Sequence, residues 1–219
     1  MADIPALIAK NSQRWKDCKL TRGPEFGQVA KRLIAARARY QGISDKTGVP
    51  WFVIAVIHER EAGQDFMCSI AQGDQWNRRS IHEPKGRGPF GSFEEAAYDA
   101  LNDCPPYAAK WKDWSAGGTL TLLEQYNGLG YANAGRPSPY IWSGTDQYTI
   151  GKITKDHGPI EPIVDRQLGC AGLLVAMGVA FGEVVIPPPP DVPPVEPQAP
   201  VNIWVALFKF ILSLFKKGN

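Results

Sequence analysis

The segment Pro50-Trp-Phe-Val-Ile-Ala-Val-Ile-His-Glu-Arg-Glu61 decides how this chain is read. Its apolar run has the length of a helix of about three turns. At about 100° per residue, Glu61 projects from the stripe that carries Ile54 and Ile57, a stripe otherwise suited to burial. A carboxylate placed there loses solvation, so its pKa is expected to rise. A carboxyl that keeps its proton near neutrality is what a general acid requires. Glu59 lies about 140° round the helix from Ile54, so the two acids cannot share one site. The alternative is a helix-end Glu61 turned to solvent, or paired with Arg60 or a distant base.

Around this segment, the 219-residue chain suits one main domain with an appendage, and 44% hydrophobic residues are enough for a core. A net charge of +2, with no basic run interleaved with aromatics, argues against nucleic acid as a partner. Cys18, Cys68, Cys104 and Cys170 are scattered, with no C-x-x-C pair, so structural zinc is not expected. Free thiols are preferred over disulfides. His58-Glu59 opens an H-E-x-x-H pattern, but Ala62 stands where the second ligand would be. His82 and His157 fall on expected loops with no matching spacing and read as surface residues. No glycine-rich phosphate loop or G-x-S-x-G is present, and neither a metal nor a cofactor is expected. The N-terminus lacks the basic start and apolar run of a signal peptide, so synthesis in the cytoplasm without an export route of its own is expected.

The fold is expected to be mainly α, with residues 1–186 as the globular domain. Helices are expected over Glu25 to Tyr40 (Phe26, Val29, Leu33, Ala36 and Tyr40 inward), Pro50 to Glu61, Ser92 to about Asn102, Thr119 to Asn127, and Pro162 to about Phe181. Ser92-Phe-Glu-Glu95 is a capping box. The last run is apolar but ends in charge, and reads as a buried core helix in which Gly169, Gly172 and Gly178 permit close packing, rather than a membrane span. A small β-hairpin within 68–90 fits the pattern without being required. Residues 187–200, PPPPDVPPVEPQAP, read as an extended proline-rich linker.

Residues 201–219 form an apolar, cationic tail. Helical spacing puts Asn202, Lys209, Ser213, Lys216 and Lys217 on one narrow face, with Trp204, Phe208 and Phe215 among the bulky apolar remainder. The run rises only about 20 Å, short of a bilayer core, so an amphipathic helix lying in a membrane surface fits best. Docking on the main domain, dimer formation and a short snorkelling span are the alternatives.

Two further features bear on Glu61. Asp74 follows Gly73 on an expected loop that can face the helix end, and two carboxyls are the minimum equipment of glycoside hydrolysis. An Asx-turn is the plainer explanation of Asp74. Gln125-Tyr126-Asn127-Gly128 places an aromatic, an amide and a glycine at a helix end, which suits a sugar cleft as well as an ordinary helix stop. Trp76, Tyr131, Tyr140, Trp142 and Tyr148 are candidate subsite walls.

Taken in order, His58-Glu-Arg-Glu61, Gly73-Asp74, Phe93-Glu-Glu-Ala-Ala-Tyr-Asp-Ala-Leu101, Tyr126-Asn-Gly-Leu-Gly-Tyr131, Ser138-Pro-Tyr-Ile-Trp-Ser-Gly144 and Asp165-Arg-Gln-Leu-Gly-Cys170 resemble the lysozyme superfamily of goose-type lysozymes and soluble lytic transglycosylases. The resemblance is closer still to the lysozyme-family proteins of phages and prophages, and spans roughly residues 25–180. It implies a lysozyme-like α+β catalytic domain and cleavage of the β-1,4 bond between N-acetylmuramic acid and N-acetylglucosamine in peptidoglycan. Glu61 would be the general acid, Tyr126 and Asn127 would line the cleft, and Asp74 would orient an attacking water in an inverting hydrolysis. Ala62 replaces a serine that many relatives carry, and the Gly-Leu-Met-Gln motif of lytic transglycosylases is absent. The implied protein is a monomeric, bacteriolytic phage endolysin, acting on wall glycan strands and touching the bacterial membrane through its tail. The alternatives are a lytic transglycosylase forming 1,6-anhydro products, and a non-enzymatic wall-binding or virion protein with a membrane-disrupting tail.

Overall fold

The computed structural model describes residues 2–154 and 158–181. The expected linker at 187–200 and tail at 201–219, with Trp204, Phe208, Lys209, Phe215, Lys216 and Lys217, lie outside the described residues, as does His157. The described part is mainly helical: α1 (Ile4–Asp17), α2 (Gly23–Ala35), α3 (Arg37–Thr47), α4 (Trp51–Ala62), α5 (Phe93–Asn102), a 3-10 turn (Ala108–Lys110), α6 (Ala116–Tyr126), α7 (Gly130–Asn133), α8 (Pro139–Trp142) and α9 (Cys170–Ala176). One two-stranded antiparallel hairpin, β1 (Lys152–Ile153) and β2 (Ile160–Glu161), pairs Lys152 with Glu161 and Ile153 with Ile160.

Helix α4 is the axis of the core. Val53 to His58 are all buried, and the helix touches α2, α3, α6 and α9. A helix apolar on every side is stable only when enclosed in this way. It stops at Gly63, which takes the left-handed conformation (φ 56°), while its amide donates to the Glu59 carbonyl at 3.0 Å. Glu61 is thereby fixed in the last turn.

The other helices follow from local signals. Ser92 caps α5 by accepting from the Glu95 amide at 3.1 Å. The Glu95 carboxylate reaches back one residue further than a standard capping box, to the Gly91 amide at 2.7 Å. Helix α1 was not anticipated, although Asp3 caps it through the Ala6 amide and Pro5 sits in its first turn.

Three expectations are corrected. Glu25 to Tyr40 is not one helix: the chain breaks at Ala36, and α3 delivers Tyr40 to the buried His58, whose Nδ1 shares a 2.9 Å hydrogen bond with the phenol. Neither Gly nor Pro marks that break, so tertiary packing sets it. The late helix is seven residues long, because residues 162–169 run as an irregular segment anchored through Asp165, Gln167 and Gly169. Gly172 does permit close packing, since a Cβ there would lie 2.2 Å from the Phe26 ring. The hairpin lies at 152–161, whereas residues 68–90 hold only an isolated bridge between Cys68 and Gln75. All four cysteines are free thiols, with Cys104 and Cys170 buried. No helix among the described residues is long and apolar enough to cross a membrane.

Candidate functional site

Glu61 sits partly exposed at the C-terminal end of α4. Its Oε1 accepts a 2.8 Å hydrogen bond from the Tyr140 hydroxyl. Burial pushes the Glu61 carboxyl up to about 7, against the opposing pull of the Tyr140 hydrogen bond and the Arg60 charge. Tyr140 is itself buried, placed by the Ser138-Pro139 start of α8. Burial and the neighbouring Glu61 raise its phenol well above the ordinary tyrosine range, so it stays a donor.

Arg60 closes the other side of Tyr140. Its guanidinium lies over the Tyr140 ring, 4.5 Å from the centroid. Nη1 donates to the Leu168 carbonyl at 3.0 Å, and Nη2 stands 3.7 Å from Asp165 Oδ2. Asp165 Oδ1 accepts from Lys152 Nζ at 3.2 Å and from the Gln167 amide at 3.1 Å. The Gln167 side chain returns to the Arg60 carbonyl at 2.7 Å. The irregular segment before α9 is thus tied to the end of α4 by a polar network.

These residues border a groove of about 810 Å³. One wall runs from Asn127 at the end of α6 through Tyr131 in α7. Another is Pro139 and Tyr140, and the hairpin residues Lys152 to Thr154 with Gly158 to Ile160 form the lip. The size suits a ligand of several rings. Glu61 does not line this groove directly. Its links to it are Tyr140 and Arg60, which do.

The structure distributes the remaining expected residues unevenly. Asn127, Gly128, Tyr131 and Tyr140 line the groove. Tyr131 also accepts the Ile153 amide at 2.6 Å and so anchors the hairpin lip. Tyr126 does not line it. Its hydroxyl donates to the Ile70 carbonyl at 3.0 Å, joining the end of α6 to the 69–77 loop, and burial, with the Glu61 charge second, raises its phenol well above the ordinary tyrosine range. Trp142 is wholly enclosed in the core, Trp76 spends its indole N–H on the Phe66 carbonyl at 2.9 Å, and Tyr148 bonds to the Gly151 carbonyl at 3.1 Å. These three are not among the groove's lining residues. Aromatic character alone could not separate platforms from scaffold.

The loop carrying Asp74 does approach Glu61. Gly73 has φ 74°, and a Cβ there would lie 2.6 Å from the Glu61 carbonyl oxygen, so only glycine lets the loop close on the helix end. The Asp74 carboxylate, however, serves its own loop. Oδ2 accepts the Ile81 and His82 amides at 2.8 and 3.0 Å, and Oδ1 meets His82 Nδ1 at 2.7 Å. Partial burial raises its pKa, but the His82 and Ile81 hydrogen bonds outweigh this and hold it below the usual range. Asp74 is not a lining residue of the groove.

Sequence reasoning did not single out Lys152, Asp165 or Gln167. Lys152 carried no signal, and Asp165 and Gln167 stood only within the Asp165-Arg-Gln-Leu-Gly-Cys170 motif, with no site role read from them. It also missed Glu124, a buried acid on α6. Among the described residues no group of three or more His, Cys, Asp or Glu side chains is placed to hold a metal. Comparison with protein-family models, with curated proteins and with solved structures gave no match.

Proposed function

We propose that this chain is a peptidoglycan-cleaving muramidase of the phage endolysin kind, with a lysozyme-like catalytic domain and Glu61 as its general acid. The observation that carries the reading is the Glu61 carboxyl itself. It is held by Tyr140 beside a groove large enough for a glycan strand, with a pKa pushed up to about 7. Protonated Glu61 would donate to the leaving glycosidic oxygen as the sugar develops oxocarbenium character. Asn127 offers an amide to an N-acetyl group, and Tyr131 an aromatic edge to the strand.

Two routes complete the reaction. In the inverting hydrolysis, Asp74 orients a water on the opposite sugar face. In the second, the sugar's own C6 hydroxyl attacks and leaves a 1,6-anhydro end. The engagement of both Asp74 oxygens by Ile81 and His82 favours the second. In either case the tail is proposed to hold the enzyme at a bacterial membrane, with the proline-rich stretch as spacer. The protein would be made in the host cytoplasm and act at the wall.

Clearing of purified wall suspensions tests the activity, with mass spectrometry of the released muropeptides to separate the routes, since reducing and anhydro ends differ by one water. Glu61→Gln should abolish clearing with the fold intact. Full clearing of purified walls by that variant would remove Glu61 as the general acid, whereas lysis of intact cells by a variant that no longer clears purified walls would assign that lysis to the tail.

A further inference from the structure

We infer that Lys152 is a specificity residue of the groove, taking a carboxylate carried by the glycan, so that the muramic acid unit is distinguished from its neutral neighbour. The inference rests on the muramidase reading and deepens it. Among the described residues, the charged side chains lining the groove are Arg60, Lys152 and Asp165, two cations and one carboxylate. The two cations are held differently. The Arg60 side chain is 5% exposed and fixed by the Tyr140 ring, the Leu168 carbonyl and Asp165. The Lys152 side chain is 40% exposed, and among the described residues Asp165 is its one hydrogen-bond partner.

An ammonium has three N–H donors, so Lys152 can donate to a further oxygen without releasing Asp165. Asp165 is well placed to keep the lysine aimed, since its own position is fixed by the Gln167 amide and by Arg60. The lysine projects from β1 at the groove lip, where a substituent of a bound strand would pass. The two alternating sugars of peptidoglycan differ by the lactyl ether of muramic acid. That group ends in a free carboxylate or carries a peptide with carboxylates of its own. A cation at the lip therefore contacts one sugar type and not the other, and the contact is charge-assisted.

Titration calorimetry with the full-length Glu61→Gln chain, which leaves ligands intact, tests this. Three probes are used: a muramic-acid-containing tetrasaccharide bearing stem peptides, the same glycan with the peptides removed, and a neutral N-acetylglucosamine tetramer. Adding Lys152→Met should weaken binding of a carboxylate-bearing glycan about tenfold and leave the neutral tetramer unchanged. Lys152→Arg should retain the discrimination. Which of the two muramyl glycans shows the loss identifies the lactyl or the peptide carboxylate as the partner. An equal loss on all three probes, or no loss on any, overturns the inference while leaving the muramidase reading standing. Failure of the Glu61→Gln chain to bind any of the three glycans would remove the muramidase reading beneath it.

Discussion

The Tyr140 hydroxyl donates to Glu61 Oε1 across 2.8 Å, joining the end of α4 to the start of α8 over a sequence separation of 79 residues. This bond favours the ionised carboxylate, opposing the burial that favours the acid. Tyr140→Phe removes the donor and leaves the ring under Arg60. The alkaline limb of the pH profile should then move upward by about one unit or less. A limb that stays in place, or moves down, would show that the bond does not tune Glu61.

The pH dependence of the parent protein follows from the same group. A general acid must be protonated, so kcat/KM should fall as pH rises through about 7. Glu61→Gln should cost at least about 100-fold in rate and remove the alkaline limb. A folded-state pKa raised above the ordinary carboxyl value means that the native chain binds the extra proton. The stability linked to Glu61 is therefore present at low pH and lost as pH rises through about 7. The variant should thus melt no lower than the parent at pH 8.

Glu124 predicts a second pH effect, away from the groove. It is 1% exposed on α6, facing α1, where Asn11 Nδ2 lies 3.5 Å from its Oε2 and 3.1 Å from Thr121 Oγ1. Burial raises its carboxyl to about 7, against the Asn11 hydrogen bond and the Arg14 charge. Its protonated form is favoured by the fold, so stability should decline between the ordinary carboxyl range and about pH 7. Glu124→Gln should flatten that decline and raise stability above pH 7 by up to about 3 kcal/mol. Thermal melts of both proteins from pH 5 to pH 8 measure it, and parallel curves would count against a buried proton.

Gly73→Ala tests the closure of the loop on the helix. The position has φ 74°, and the new methyl would meet the Glu61 carbonyl at 2.6 Å. A destabilisation of about 1–3 kcal/mol is expected, with loss of activity because the end of α4 is displaced. Denaturant melts together with wall-clearing rates read both effects. An alanine variant of parental stability would contradict the close approach.

Asp74→Ala separates its structural part from a chemical one. Loss of the bonds to Ile81 and His82 should speed hydrogen exchange at those two amides. If Asp74 orients water, the rate falls by about 100-fold or more and reducing ends vanish from the products. If it only staples its loop, the rate changes by less than about tenfold and the product type is unaltered.

How much of this was legible beforehand depended on whether a local signal existed. The apolar run before Glu61, the Ser92 cap and the stop at Gly63 are written in neighbouring residues, and the helices appear there. The break at Ala36 carries no such mark, since neither Gly nor Pro stands there, and beyond it α3 brings Tyr40 to His58. The segment 162–169 looked helical by hydropathy, yet its polar groups are committed to Arg60 and Lys152, partners more than 100 residues away in one case.

The sequence by itself determined that a carboxyl would close an apolar helical run on the stripe of Ile54 and Ile57, because helical periodicity fixes the direction of each side chain. Tertiary structure alone decided what that carboxyl meets. Tyr140 becomes its donor, while Tyr126 and Trp142 become scaffold and Asp74 turns to its own loop. Each of these outcomes depends on contacts between segments far apart in the chain, and no local pattern of residues encodes them.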